Sequence, residues 1–182
     1  MTKSSPLDLG LPWWSLGAIR YLEKNHSKYN RVFEYGSGGS TIFLGNNFRN
    51  VKTIEHDPNW FDQVNSRLES NQLKSVNLGL ADIDLACMDR FERCQYYHAL
   101  DERVDLVVVD GEDQFGPDST WSARVSCFLR AQEFVSLGGL IIVDDSWRYP
   151  EIKELSLAKQ IRVFQGIGPC RKGITSTDLH FY

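Results

Sequence analysis

Apolar residues along this chain fall into short runs separated by amphipathic stretches, an alternation that predicts strands and helices in turn. Runs at 31–35, 51–55, 75–80, 104–110 and 140–144 read as buried strands. Two of them, Val-Asp-Leu-Val-Val-Val-Asp and Leu-Ile-Ile-Val-Asp-Asp, are near-continuous aliphatic stretches suited to central parallel strands covered on both faces. Between the runs, Asp57 predicts a helix cap, with Pro58 in the first turn and Trp60, Phe61, Val64 and Leu68 along one face. Ser119 predicts a second cap, for a helix that turns Trp121, Val125, Phe128, Leu129 and Val135 inward and closes at Gly138-Gly139. Pro150 opens a third helix, with Glu151 and Glu154 near its start. Segment 85–101 reads as helix and loop. Alternation at 161–164 and 175–182, around a glycine-rich turn, predicts an antiparallel pair that finishes the sheet. With no repeat, low-complexity tract or linker, residues 1–182 read as one domain, a short N-terminal helical segment (1–30) followed by the core (31–182).

Composition narrows the class. The chain is 42% hydrophobic and 24% charged, which suits a globular protein. A formal charge of −4 disfavours a nucleic-acid substrate, because nothing in the balance attracts a phosphate backbone. The opening MTKSSPLDLGLPWW lacks the apolar core of a signal peptide, and no run approaches a membrane span, so a cytoplasmic protein without membrane partners is expected. Cys87, Cys94, Cys127 and Cys170 show no C-x-x-C pairing and read as reduced thiols.

The densest chemical signal is residues 31–40, Arg-Val-Phe-Glu-Tyr-Gly-Ser-Gly-Gly-Ser. A strand here runs into a glycine cluster just after an acid, Glu34, and a second acid, Glu55, follows 21 residues later (55 − 34). Such a pattern builds a nucleotide-sized crevice at the carboxyl edge of a parallel sheet, the second acid accepting from a ribose diol. It is not the dinucleotide G-x-G-x-x-G, since the third glycine counted from Gly36 would fall on Thr41. Asp110 ends one central strand, and Asp144 and Asp145 follow another. Three carboxylates meeting at one edge repel each other unless something compensates, and a hard divalent cation with oxygen ligands would do so.

The acid-x-Gly-x-Gly pattern of 34–38 resembles motif I of the class I S-adenosylmethionine-dependent methyltransferases, and the strand order fits from about residue 30 to 182. The resemblance implies an α/β, Rossmann-like doubly wound sheet of seven strands, mostly parallel with a C-terminal antiparallel strand, and an N-terminal helix lying over the cofactor edge. It implies that Gly36, Ser37, Gly38, Gly39 and Ser40 form the loop under the methionine part of S-adenosylmethionine, with Tyr35 beside it and Glu34 holding the amino end through water or backbone. Glu55 would take both ribose hydroxyls, His56 would pack on adenine or face water, and Asp82 would accept from the adenine amino group or remain a polar loop residue. Asp110 would lie against both cofactor and acceptor. With Asp144 and Asp145 the spacing resembles metal-dependent small-molecule O-methyltransferases, in which the ligands are Asp, Asp and Asn. Here the third position is Asp145, and the three form a candidate Mg2+ set as well as the candidate catalytic group. Arg124 and Cys127 resemble an Arg-x-x-Cys of related methyltransferase-like proteins, Cys127 being read as core packing. The expected acceptor is a hydroxyl of a small molecule in a fairly open site bordered by 11–14, 112–121, 146–150 and 166–173, which a homodimer could complete. A nicotinamide-dependent oxidoreductase and a non-catalytic cofactor- or partner-binding member of the fold are the alternatives.

Overall fold

Five apolar runs form the parallel strands β1 (Arg31–Tyr35), β2 (Asn50–Glu55), β3 (Val76–Leu80), β4 (Val104–Val109) and β5 (Val135–Asp144) in this computed structural model, which describes residues 5–114, 119–169 and 173–182. The tail supplies β6 (Gln160–Ile167) and β7 (Ile174–Phe181), and the sheet runs β3-β2-β1-β4-β5-β7-β6. β7 is antiparallel to both of its neighbours, so the expected seven-stranded, mostly parallel sheet with an antiparallel finish is what forms. The order reverses between β1 and β4. Tyr35 pairs there with Ile54 on one side and Val109 on the other, so three strands end level around one crevice.

Period-2 alternation in strands that are apolar throughout creates two cores. Phe33, Tyr35, Val107, Val109, Ile141 and Val143 face one side, with Cys127 and Phe128 of α7 (Ala123–Phe134). Val32, Leu106, Val108, Leu140 and Ile142 face the other, with Ala18 and Leu22 of α2 (Leu16–Asn25) and Phe43 and Leu44 of α3 (Gly39–Asn47). Each fully buried side chain of this size contributes about 1.5–3 kcal/mol of transfer free energy. The N-terminal segment holds α1 (Pro6–Leu9) as well as α2, and α1 packs on α3. Helix α4 (Pro58–Ser70) starts as expected at Asp57, whose carboxylate accepts from the Asn59 and Trp60 N–H groups. Segment 85–101 resolves into two single turns, α5 (Met88–Phe91) and α6 (Gln95–His98). Pro150 opens α8 (Pro150–Leu155).

One helix departs from expectation. The cap of α7 is Ser122, whose hydroxyl accepts from Val125 N, whereas the Ser119 hydroxyl donates to the Gln114 and Trp121 carbonyls. The helix stops at Phe134 because Val135 already pairs with Val104 in the sheet. Gly138-Gly139 therefore lie inside β5, at the register shift against β4, and cap no helix. Leu129 is 39% exposed and faces outward, not into the core. Among the described residues, no helix is long and apolar enough to cross a membrane. Cys170 and the 115–118 part of the expected acceptor border lie outside the described residues, as do Arg171 and Lys172.

Candidate active site

The crevice at the reversal has two contiguous halves that share Ser37, Trp60, Asp110 and Arg124. The first, about 240 Å3, is lined by Gly38, Gly39 and Ser40 of the glycine loop, by Asp144 and Asp145, and by Pro6 and Trp13 of the N-terminal segment. The second, about 380 Å3, is lined by Gly36, Glu55, His56, Asp57, Gly111 and Glu112. A larger cavity, about 480 Å3, opens at the opposite edge of the sheet among Arg31, Arg49, Lys52 and Lys74. The strands begin there, so neither the glycine loop nor the strand-end acids reach it.

Backbone geometry sets up the loop. Gly36 has φ 83°, and a Cβ on it would come within 2.7 Å of the Asp110 carbonyl oxygen. On Gly39 a Cβ would stand 2.2 Å from the Leu11 carbonyl oxygen and 2.5 Å from that of Pro6. These two positions are therefore glycine because β4 and the N-terminal segment pack against them, not because a ligand does. Thr41 Oγ1 accepts from Gly38 N at 2.8 Å and donates to Glu34 Oε2 at 2.7 Å. Thr53 donates to the same Glu34 oxygen at 2.5 Å. Trp60 Nε1 closes the outer side with a 2.7 Å bond to the Ser37 carbonyl.

Glu55 is only 3% exposed, yet its carboxylate is held by four hydrogen bonds. Its Oε2 accepts from Ser37 N (3.0 Å) and Ser37 Oγ (2.6 Å), and its Oε1 from His56 N (2.8 Å) and Asp57 N (3.0 Å). Burial alone would raise this carboxyl, but the His56, Asp57 and Ser37 donors outweigh it and hold the group at about 2. His56 Nδ1 lies 3.0 Å from Oε1, in a geometry short of a good hydrogen bond, and this contact raises the imidazole against the opposing effect of burial.

No protein-family model matches the sequence, and no curated protein matches it. Solved structures do. An O-methyltransferase from Bacillus cereus, crystallised with S-adenosylhomocysteine, superposes with a TM-score of 0.66 at 18% identity, covering 92% of this chain and 81% of that one. TomG, an O-methyltransferase of tomaymycin synthesis from Streptomyces achromogenes, in complex with S-adenosylmethionine, gives 0.65 at 19% identity over 96% and 84%. An rRNA methylase from Streptococcus thermophilus gives 0.60 at 11% over 91% and 94%. The fold is that of the class I methyltransferases.

Within this methyltransferase fold the acids after β4 and β5 do meet. Asp110, Asp144 and Asp145 all line the first half of the crevice. Their compensating charge is Arg124: its NH2 lies 3.3 Å from Asp110 Oδ1, while Nε donates to the Gly111 carbonyl and NH1 to that of Asp144. Among the described residues no three His, Cys, Asp or Glu side chains are arranged to hold a metal ion. The expected Mg2+ set of Asp110, Asp144 and Asp145 finds no support in this arrangement. Asp144 Oδ1 accepts from Thr177 Oγ1 at 3.0 Å, and Thr177 Oγ1 in turn accepts from Ser15 N, tying β5 to β7 and the start of α2. Asp145 accepts from Thr175 Oγ1 at 2.9 Å and lies 3.4 Å from Arg148. Its φ of 49° is strained for a residue with a side chain, the kind of backbone that clusters at functional sites. Burial raises Asp110 to about 6 against the pull of Arg124. Burial and then repulsion from Asp110 and Asp145 raise Asp144 well above the ordinary carboxylate range, which favours its protonated form.

Several expected ligand residues stand elsewhere. Tyr35 turns into the core, its hydroxyl donating to the Tyr97 carbonyl, because strand alternation puts it on the α7 side. Glu34 is fully buried and lines neither half; burial raises it to about 7 while Thr41 and Thr53 occupy one oxygen. Its observed role is to brace the loop. Asp82 is exposed and also lines neither half. Cys127 is buried packing, as expected. Trp60 and Arg124 are the contributors that sequence reasoning placed on helices without a part in the crevice. The sequence cue for Trp60 was its place in the first turn after the Asp57 cap.

Proposed function

We propose that the chain is an S-adenosylmethionine-dependent methyltransferase acting on a hydroxyl of a small molecule. The observation that carries this reading is the pairing, across one crevice, of a diol-accepting carboxylate (Glu55) with a titratable aspartate (Asp110) beside the glycine loop. The fit is specific. Glu55 Oε2 faces the crevice beside Ser37 as an acceptor for a ribose hydroxyl, Gly39 and Ser40 at the start of α3 offer N–H groups to a carboxylate, and the surplus of acids suits a cationic donor. When bound, S-adenosylmethionine would supply a sulfonium methyl carbon for transfer to an acceptor oxygen, the C–S bond breaking and the neutral thioether S-adenosylhomocysteine leaving with its electron pair.

The chain's own residues align, dehydrate and take up a proton. Asp110, held near 6 and oriented by Arg124, accepts the hydroxyl proton on its carboxylate as the oxygen gains its new bond to carbon. Asp144, protonated, keeps the site from accumulating three anions. Trp13, Trp60 and Pro6 wall the crevice against water. Magnesium does not enter this reading, since the Arg124 guanidinium supplies the countercharge at Asp110. The net charge of −4 favours a small acceptor over RNA.

Calorimetric titration with S-adenosylhomocysteine tests the reading directly: micromolar-range binding is expected, and no binding at millimolar ligand would reject it. NADH should not compete. Retention of methyl-transfer activity in EDTA, with any acceptor found, is the expected outcome for the metal-free chemistry.

A further inference from the structure

Glu55 has no acceptor position to spare. A carboxylate offers about four lone-pair sites, and the Ser37 N–H, Ser37 hydroxyl, His56 N–H and Asp57 N–H already occupy them at 2.6–3.0 Å. Three of these donors belong to the backbone and cannot leave cheaply. The Ser37 segment is pinned by the Gly36 N–H bond to the Ile54 carbonyl (3.0 Å), the Trp60 bond to the Ser37 carbonyl (2.7 Å) and the Gly38 bond to Thr41 (2.8 Å). The His56-Asp57 segment is fixed by the strand β2 that precedes it and by the cap of α4 that Asp57 forms. The fourth donor, Ser37 Oγ, hangs on one rotatable bond. Ser37 lines both halves of the crevice and is half-buried, so its hydroxyl has space on either side.

We propose that the Ser37 hydroxyl is a stand-in for a ribose hydroxyl: it fills on Glu55 the position that the diol of an incoming nucleoside must take, and rotates away when that nucleoside binds. Ser37 is thus a specificity-determining residue. A ligand with the diol replaces the bond it breaks, and a ligand without it has nothing to offer Glu55 and leaves Ser37 in place. The inference rests on the reading of the crevice as a nucleoside site given above.

The test is calorimetry of wild type, Ser37→Ala and Ser37→Gly with S-adenosylhomocysteine and with its 2′,3′-dideoxy analogue. Removing the competing hydroxyl should tighten the diol ligand by about fivefold or more in both variants, from the strength of a hydrogen bond to a charged group, while the dideoxy analogue keeps its wild-type affinity. A merely structural role predicts the opposite, weaker binding of both ligands. Unchanged or weakened binding of the diol ligand, or equal tightening of both ligands, overturns the proposal. A crystal structure of wild type with S-adenosylhomocysteine asks the same question without a variant: Ser37 Oγ beyond hydrogen-bond reach of Glu55 supports it, and an intact bond sinks it. Wild type that binds neither ligand removes the nucleoside reading itself; wild type that binds while the variants show no gain removes this inference alone.

Discussion

Asp110 and Arg124 form a tight, mostly dehydrated pair, 19% and 13% exposed on their side chains, and their energetics separate catalysis from stability. Asp110→Asn keeps the shape and removes the base, so turnover should fall by about 10² while the affinity for S-adenosylhomocysteine changes little. Comparable losses in both, from single-turnover rates and calorimetry, would make Asp110 a structural residue. Arg124→Met leaves buried acids without their countercharge and should cost about 3 kcal/mol in urea unfolding. Combining it with Asp110→Asn should recover part of that loss, since the anion it compensates is gone as well. Glu55→Ala should weaken S-adenosylhomocysteine by more than about 1 kcal/mol, the scale of a lost hydrogen bond to a charged group. At this scale the sequence was only partly legible. It marked Glu55 and the three aspartates by their places at strand ends, but it could not show that Glu34 is bonded by Thr41 and Thr53, partners chosen by the fold.

The strands were the most legible elements, because an apolar run buried on both faces has few alternatives to a central strand. The helix after β4 was harder. Ser119 and Ser122 are both competent caps three residues apart, and the choice is made from outside the local window. Asp113 accepts from Ser122 Oγ at 3.0 Å and from Ala123 N at 2.7 Å, fixing a carboxylate at that helix start. Gly138-Gly139 carries the composition of a helix stop, yet strand pairing with β4 absorbs it as a register shift. The contact between α3 and the N-terminal segment gives an element-level prediction. Gly39→Ala must push the Leu11 and Pro6 carbonyls away and should cost about 2 kcal/mol in urea unfolding. The control is Gly166→Ala on β6, where a Cβ meets nothing within 4 Å and the change should stay within about 0.5 kcal/mol.

For the molecule as a whole, the buried acids set the response to pH. Burial raises the Glu34, Asp110 and Asp144 carboxyls in the folded chain well above their ordinary values near 4. Between about 4 and 8 the folded state holds more protons than the unfolded one, so stability falls as pH rises through that window. Buried His180, lowered to about 4, opposes the trend below about 6.5, one group against three, and Glu55 opposes it only as pH drops from the ordinary carboxylate range towards 2. Thermal melts should therefore show a higher midpoint at pH 5.5 than at pH 8, and Asp144→Asn should flatten the difference. A midpoint that rises with pH would contradict the protonation states assigned to the crevice. Pro6 and Trp13 line the same crevice while the Pro6 and Leu11 carbonyls press on Gly39. The earliest described part of the chain is thus both wall and wrapper, and an occupant would clamp it from within. Occupancy should then be readable at a distance from the chemistry, as slower protease cutting near residues 6–14 and as a change in indole emission from Trp13.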